Sequence, residues 1–229
     1  MRTSNRGLSW EQITHDSMEL GRLHGIIQPQ GFIASLNERL YHFTEWGNNW
    51  SEITPTGSAP VNRLGIHPAT KTLLANVPLT FDVLRSDDMG QSWSKVLDDY
   101  SFTDILFHPL GRIFVVVGNS NQSHRSLYLS DNDGVTWEKV AGIDSVYAVR
   151  SDESGNLMAV GVNGVFFSSD NGNTWEQRDF PSAVSGFFSV NAQGFWFLGH
   201  SDELYMSVHD GINWQILPKV NELLELESG

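Results

Sequence analysis

Six times along its 229 residues the chain sets a glycine three positions before a tryptophan: Gly7 and Trp10, Gly47 and Trp50, Gly90 and Trp93, Gly134 and Trp137, Gly172 and Trp175, Gly211 and Trp214. The tryptophans recur every 38 to 44 residues, and a period of that length marks a repeat architecture. Each period carries one plan: an apolar run, a turn, a second run, a short connection, a third run, the glycine–tryptophan segment, and a fourth run opened by the tryptophan. In one period these are Val146 to Val149, Ser151 to Asn156, Leu157 to Val160, Val165 to Phe167 and Trp175 to Arg178. Runs of four to eight residues separated by Gly, Pro, Asn and Asp read as strands and turns. Four strands per period, with no helical periodicity, predict an all-β fold of β-propeller blades over a sandwich or solenoid.

Five complete four-stranded units can be counted, roughly 20–54, 61–97, 102–140, 145–179 and 184–217. The whole of 1–229 is expected to form a single domain, with 1–13 as an outer-strand terminal segment and 218–229 as a C-terminal tail. Five closed blades with terminal extras, an irregular six-bladed ring whose termini share a blade, and a truncated six-bladed parent all remain open.

The three best copies of the segment are Ser86-Asp87-Asp88-Met89-Gly90-Gln91-Ser92-Trp93, Ser130-Asp131-Asn132-Asp133-Gly134-Val135-Thr136-Trp137 and Ser168-Ser169-Asp170-Asn171-Gly172-Asn173-Thr174-Trp175. Asp88, Asn132 and Asp170 carry short side-chain oxygens that can accept backbone N–H groups inside a turn, and Gly90, Gly134 and Gly172 supply positive φ without a Cβ clash. Trp93, Trp137 and Trp175 are expected to be largely buried at equivalent places between blades. The other copies are degenerate, with Asn5, Glu45 and His209 at the aspartate position. The three segments resemble the Asp box, Ser-x-Asp-x-Gly-x-Thr-Trp, of the bacterial neuraminidase repeat propellers. That resemblance spans nearly the whole chain and implies a fold and a structural turn rather than an activity, since the box recurs in sialidases, xyloglucan-cleaving enzymes, sortilin-type receptors, a photosystem assembly factor and phage tail proteins.

A sialidase-like enzyme would need three converging arginines, a tyrosine nucleophile with its glutamate, and an aspartate acid/base. The Arg-Ile-Pro segment that usually opens such sequences is missing. Arg22, Arg63 and Arg150 lie on or beside innermost strands but not at one equivalent position, and no tyrosine has a glutamate at a spacing that commends it. The acidic loop residues Asp98, Asp99, Asp104 and Asp202 are too ordinary in an acidic chain to mark a glycosidase pair. His67 and His108 each precede a proline in equivalent turns, which reads as a structural role, and no metal site or cofactor is expected. No Gly-x-Ser-x-Gly elbow is present.

With 14 basic against 27 acidic residues, a formal net charge of −13 and four lysines, the surface would repel a phosphate backbone, so nucleic acid is excluded as a partner. No apolar stretch has the length of a membrane helix, and membrane insertion is not expected. Cysteine is absent, which removes disulfides and thiolate chemistry. Residues 1–6 lack an apolar signal region, so no secretory signal is visible and a cytoplasmic or virion location is the expectation.

These features favour a non-enzymatic binding or structural module presenting loops to a protein or glycan, in the manner of a phage tail or adhesion component. A divergent sialidase-like glycoside hydrolase and an assembly factor docking to a protein complex are the rivals. A meander of four strands puts its repeated turns at one end and the irregular loops and inter-blade connections at the other, where recognition is expected. The candidate binding residues there are Glu38, Arg39, Asp98, Asp99, Tyr100, His124, Arg125, His200 and Asp202.

Overall fold

The structure is a computed structural model. It describes residues 8–9, 20–27, 31–36, 39–45, 49–55, 57, 60–77, 79–118, 125–180, 187–200, 203–208 and 210–218. Its twenty strands form five four-stranded antiparallel sheets, each a simple meander in chain order. Blade 1 comprises β1 (Leu20–Ile27), β2 (Gly31–Leu36), β3 (Arg39–Thr44) and β4 (Asn49–Glu52). Blade 2 comprises β5 (Arg63–Ile66), β6 (Leu73–Val77), β7 (Asp82–Ser86) and β8 (Ser94–Leu97). Blade 3 runs β9 (Ser101–Phe107), β10 (Ile113–Gly118), β11 (Arg125–Ser130) and β12 (Glu138–Asp144). Blade 4 runs β13 (Val146–Ser151), β14 (Leu157–Gly161), β15 (Gly164–Ser168) and β16 (Glu176–Arg178). Blade 5 runs β17 (Phe188–Val190), β18 (Trp196–His200), β19 (Glu203–Ser207) and β20 (Gln215–Leu217). These are the blades of a β-propeller, as the period predicts.

The chain falls into two compact units, Met1–Asp99 with blades 1 and 2 and Tyr100–Gly229 with blades 3 to 5. Apart from Leu8, Ser9 and Pro218, the terminal segments 1–13 and 218–229 lie outside the described residues.

Burial explains the strand sequences. The second strand of a blade is covered on both faces, so β6, β10 and β14 are buried at every position and read as near-continuous apolar runs rather than alternating ones, with Asn76 in β6 bonded to Asn62 at 2.8 Å. The fourth strands β4 and β8 carry polar or charged residues and no buried position, which suits an edge. Core clusters form between successive blades. In the first unit Ile33, Leu40 and Ile53 meet Leu73, Ala75 and Val77. In the second, Phe114, Val116 and Leu127 meet Val149, Leu157 and Phe166, and Met158, Val165 and Phe167 meet Phe188, Trp196 and Leu198.

Trp93 packs against the core shared by blades 1 and 2 and Trp175 against that of blades 3 and 4. Trp93, Trp137 and Trp175 are half-buried, while Trp196, outside the repeat motif, is the fully buried one. Each repeat indole donates Nε1–H to the carbonyl of the glycine in its own turn, at 3.1 Å for Gly90, Gly134, Gly172 and Gly211, and Trp93 donates also to Ile53 O at 2.9 Å. That tether holds the ring along the turn at the blade's rim.

Candidate functional site

The two ends of the strands are built differently. At the end carrying the repeated turns, the three well-formed copies share one hydrogen-bond set. Gly90, Gly134 and Gly172 donate N–H to Ser86, Ser130 and Ser168 Oγ at 2.8–2.9 Å. Each serine donates in turn to Asp88, Asn132 or Asp170 Oδ1 at 2.8–2.9 Å. The same oxygen accepts the N–H of Ser92, Thr136 or Thr174 at 2.9 Å. Hydrogen bonds from the hydroxyl and backbone of Ser92 or Thr174 hold the Asp88 and Asp170 carboxyls down at about 2. Such groups anchor turns and cannot carry protons at neutral pH.

The first turns of blades 2 to 5, at the same end, have their own locks. His67 Nδ1 accepts from Ala69 and Thr70 N–H at 3.2 Å, and Asp152 Oδ1 accepts from Asn156 N–H at 2.8 Å. Asn191 Oδ1 accepts from Gln193 and Phe195 N–H at 3.0 and 2.9 Å. His108 Nδ1 accepts from Leu110 N–H at 3.3 Å, which leaves the proton on Nε2 to donate to Gly155 O at 2.9 Å in the next blade. Burial lowers the His108 pKa. The histidine–proline turns are structural, as the sequence suggests.

At the connection end the candidate residues separate into two kinds. Arg39 is spent on Glu52 at 2.6 Å within blade 1. Asp98 bonds Lys95 at 3.1 Å, and Lys95 also bonds Asp82 at 2.9 Å. Asp99 takes a left-handed φ of 62° at the turn. His200 ends β18, opposite Glu203. Glu38, His124 and Asp202 lie outside the described residues.

Tyr100 and Arg125 are the pair that the structure brings to one edge, because Gly118 pairs with both Ser101 and Arg125 across β9, β10 and β11. Each has a tyrosine partner, on opposite faces of β11. Tyr128 on β11 donates its hydroxyl to that of Tyr100 at 3.2 Å, with the rings 5.4 Å apart; burial and this bond push the Tyr128 phenol up to about 12. Arg125 holds its guanidinium 5.9 Å from the centre of the exposed Tyr147 ring on β13. Beside them Asp144 accepts Lys139 at 2.8 Å. Sequence reasoning missed Tyr128 and Tyr147. The alternation Ser126, Tyr128 against Leu127, Leu129 marks Tyr128 as one face of a strand, but nothing local tells that its hydroxyl reaches Tyr100.

Of the residues weighed for glycoside chemistry, Arg150 and Asp104 engage each other. Arg150 binds Asp104 at 2.6 Å, and Asp104 also accepts Val149 N–H at 3.0 Å. One expectation needs correction: Tyr205 does have a glutamate, donating its hydroxyl to Glu203 Oε2 at 2.6 Å. A spacing of two on a strand puts both on one face. The bond to the carboxylate raises the phenol pKa, and the ring is buried against Phe180 at 4.9 Å. Among the described residues no three metal-ligating side chains cluster, and no helix is long and apolar enough to cross a membrane.

No protein-family model matches the chain, and no curated protein matches it. Solved structures do. An ancestral GH74 enzyme superposes with a TM-score of 0.63 at 19% identity over 86% of this chain. This chain spans only 31% of that enzyme's length. YCF48 bound to D1 peptide gives 0.59 at 16% identity, covering 91% of this chain and 69% of that one. Virginiamycin B lyase from Staphylococcus aureus gives 0.62 at 12% identity, covering 90% and 75%. Two of these proteins are enzymes by name and one holds a peptide; at such identities the likeness speaks of architecture alone. With five meandering four-stranded sheets and these neighbours, the chain is a β-propeller protein.

Proposed function

We propose that this protein is a non-enzymatic recognition module of the Asp-box propeller class, whose rigid blades present the connection end to a protein or glycan. The observation that carries the reading is the connection end of blade 3, where Arg125 stacks with Tyr147 and, on the other face of β11, Tyr128 meets Tyr100. Tyrosine offers a large ring with a polar tip at little entropic cost, and tyrosine and arginine dominate the energetics of protein interfaces. Arg125 stacked on an exposed ring is such an anchor, and it stands beside Ser101 and Ser126 rather than beside a carboxylate pair. A protein segment fits this chemistry best, and the structural neighbour that holds a peptide supports the same choice. The turn hydrogen bonds, one set repeated in three blades, support placement in the Asp-box class.

The test is a peptide-display selection against the folded protein, followed by titration of the selected peptide. Arg125→Ala and Tyr147→Ala should each weaken binding about tenfold, near 1.4 kcal/mol, with the melting temperature unchanged. Hydrogen exchange that maps the bound peptide to the turns around Gly90, Gly134 and Gly172 would refute the assignment of the working end. Turnover of fluorogenic sialosides or β-glucosides that is abolished by replacing Arg22 or Arg63 would overturn the non-enzymatic reading.

A further inference from the structure

At the opposite end of the same strands, between the outer parts of blades 3 and 4, lies a cleft of about 530 Å3. It arises where blade 3 departs from the repeat. In blade 4 the outer strand stays in register, with Phe167 opposite Glu176 and Val165 opposite Arg178, and the Arg178 guanidinium covers the Phe167 ring at 3.8 Å. The matching positions in blade 3 are Leu129, opposite Glu138, and Val140. Val140 is buried in the core, so no side chain caps Leu129, which instead lines the cleft.

The chain then bulges. Between the pairs Tyr128–Lys139 and Ser126–Asp144, β12 takes three more residues than β11. Val140 and Ile143 turn inward, while Ala141 and Gly142, at φ 77°, stay exposed along the opening. A bulge of this kind re-aims side chains and ends regular pairing, so the wall is unsuited to adding a further strand.

The opposite wall is the repeated turn of blade 4. Trp175 has its N–H tied to Gly172 O and its ring set edge-on to Phe114 at 6.4 Å, so what it lends the cleft is carbon surface. Arg112 closes one end, held by Asp131 at 2.5 Å and by Asn171 O at 2.6 Å. Glu138 and Gln177 stand exposed on the two walls.

The charges decide the ligand class. Arg112 is paired with Asp131 and Lys139 with Asp144, which leaves Glu138 as the remaining charge of the lining. An anion would meet Glu138 with both basic groups already paired, a single exposed carboxylate holds a cation weakly, and an apolar ligand would strip water from the charged groups. A compact molecule with many hydroxyls can donate to Glu138 and lay a C–H face on Trp175 and Leu129. The volume lies within the range of small-molecule sites, about 300–1,000 Å3, and admits one or two sugar rings. We propose that this cleft binds an uncharged saccharide unit of a glycan, independently of the tyrosine and arginine edge.

The experiment is an array of neutral cello-, xylo-, manno- and malto-oligosaccharides beside sialylated and sulfated glycans, with saturation-transfer NMR on any that bind. Neutral oligosaccharides should bind. Glu138→Ala and Gln177→Ala should each weaken that binding fivefold or more without lowering the melting temperature. Ala141→Trp, which places a ring in the opening, should abolish it, and Tyr147→Ala should leave it unchanged. The proposal is overturned if no neutral glycan binds, if only charged glycans bind, or if neutral binding survives Ala141→Trp and falls with Tyr147→Ala. That last pattern would move glycan recognition to the connection end, whereas loss of peptide binding there leaves the cleft untouched.

Discussion

Gly172 meets two demands at once. Its φ of 80° is left-handed, and a Cβ built there would fall 2.6 Å from Phe114 Cζ and 3.3 Å from Leu157 Cδ1. Gly111 shares the first demand, at φ 96°, but has nothing within 4 Å. Left-handed backbone costs a non-glycine residue about 1–2 kcal/mol, and overpacking a core adds about 1–3 kcal/mol. Urea unfolding should therefore show Gly111→Ala losing about 1 kcal/mol and Gly172→Ala about 2–4 kcal/mol; equal losses would mean that the blade 3 rings yield freely. The turn itself is legible in the sequence, because serine, aspartate and glycine act through neighbours within four positions. The residue before each glycine is less so. Met89, Asp133, Asn171 and Asp210 all take φ of 52–62°, which suits Asn and Asp, while Met89 holds it by packing into the core of the first unit. The tryptophans are legible in the same measure: the pattern shows the ring but not the carbonyl that tethers its N–H.

Between blades, the repeated turn is gripped by an arginine from the blade before it. Arg112 donates to Asn171 O and Arg178 to Asp210 O, both carbonyls lying just before the turn glycine. The two arginines come from unrelated places, a first turn and an outer strand, so no sequence period reveals the pairing. The bulge in β12 is hidden likewise: the sequence reading ends its third unit at residue 140, while the strand continues to Asp144 because Val140 and Ile143 both reach the core. What period and turn chemistry do reveal is the four-strand plan, since each run and its punctuation are local. Arg178 is mostly buried, stacks on Phe167 and bonds a carbonyl, so Arg178→Ala should cost about 2 kcal/mol. Arg178→Lys should recover less than half, lacking a planar fork to stack and donate together. Amide exchange at Gly211 should quicken in both, and an unchanged rate would show that the arginine does not hold that turn.

Across the whole chain, acid should act in two stages, and the signs can be worked out group by group. His24 is lowered to about 4 by burial and by Arg22, and burial also lowers His42 and His108. In the unfolded chain these imidazoles titrate near 6.5. Below that pH the unfolded state binds protons that the folded state refuses, so stability falls with pH and flattens only near the folded pKa values. Asp88 and Asp170, held at about 2 against an ordinary 3.8, act in the same direction lower down: their contribution is complete above 3.8 and is lost as pH falls through 2. The melting temperature should thus decline from pH 7 to 5, before the turn carboxylates are touched, and again below pH 4. His108→Asn separates the stages, because Asn191 shows that an amide oxygen can lock the same turn. That variant should lose some stability at pH 7, where the bond to Gly155 O is missing, yet decline less steeply between pH 7 and 5 than the parent. Parallel declines in the two proteins would mean that His108 is not among the groups responsible, and a flat parent profile down to pH 4 would contradict all three histidine shifts.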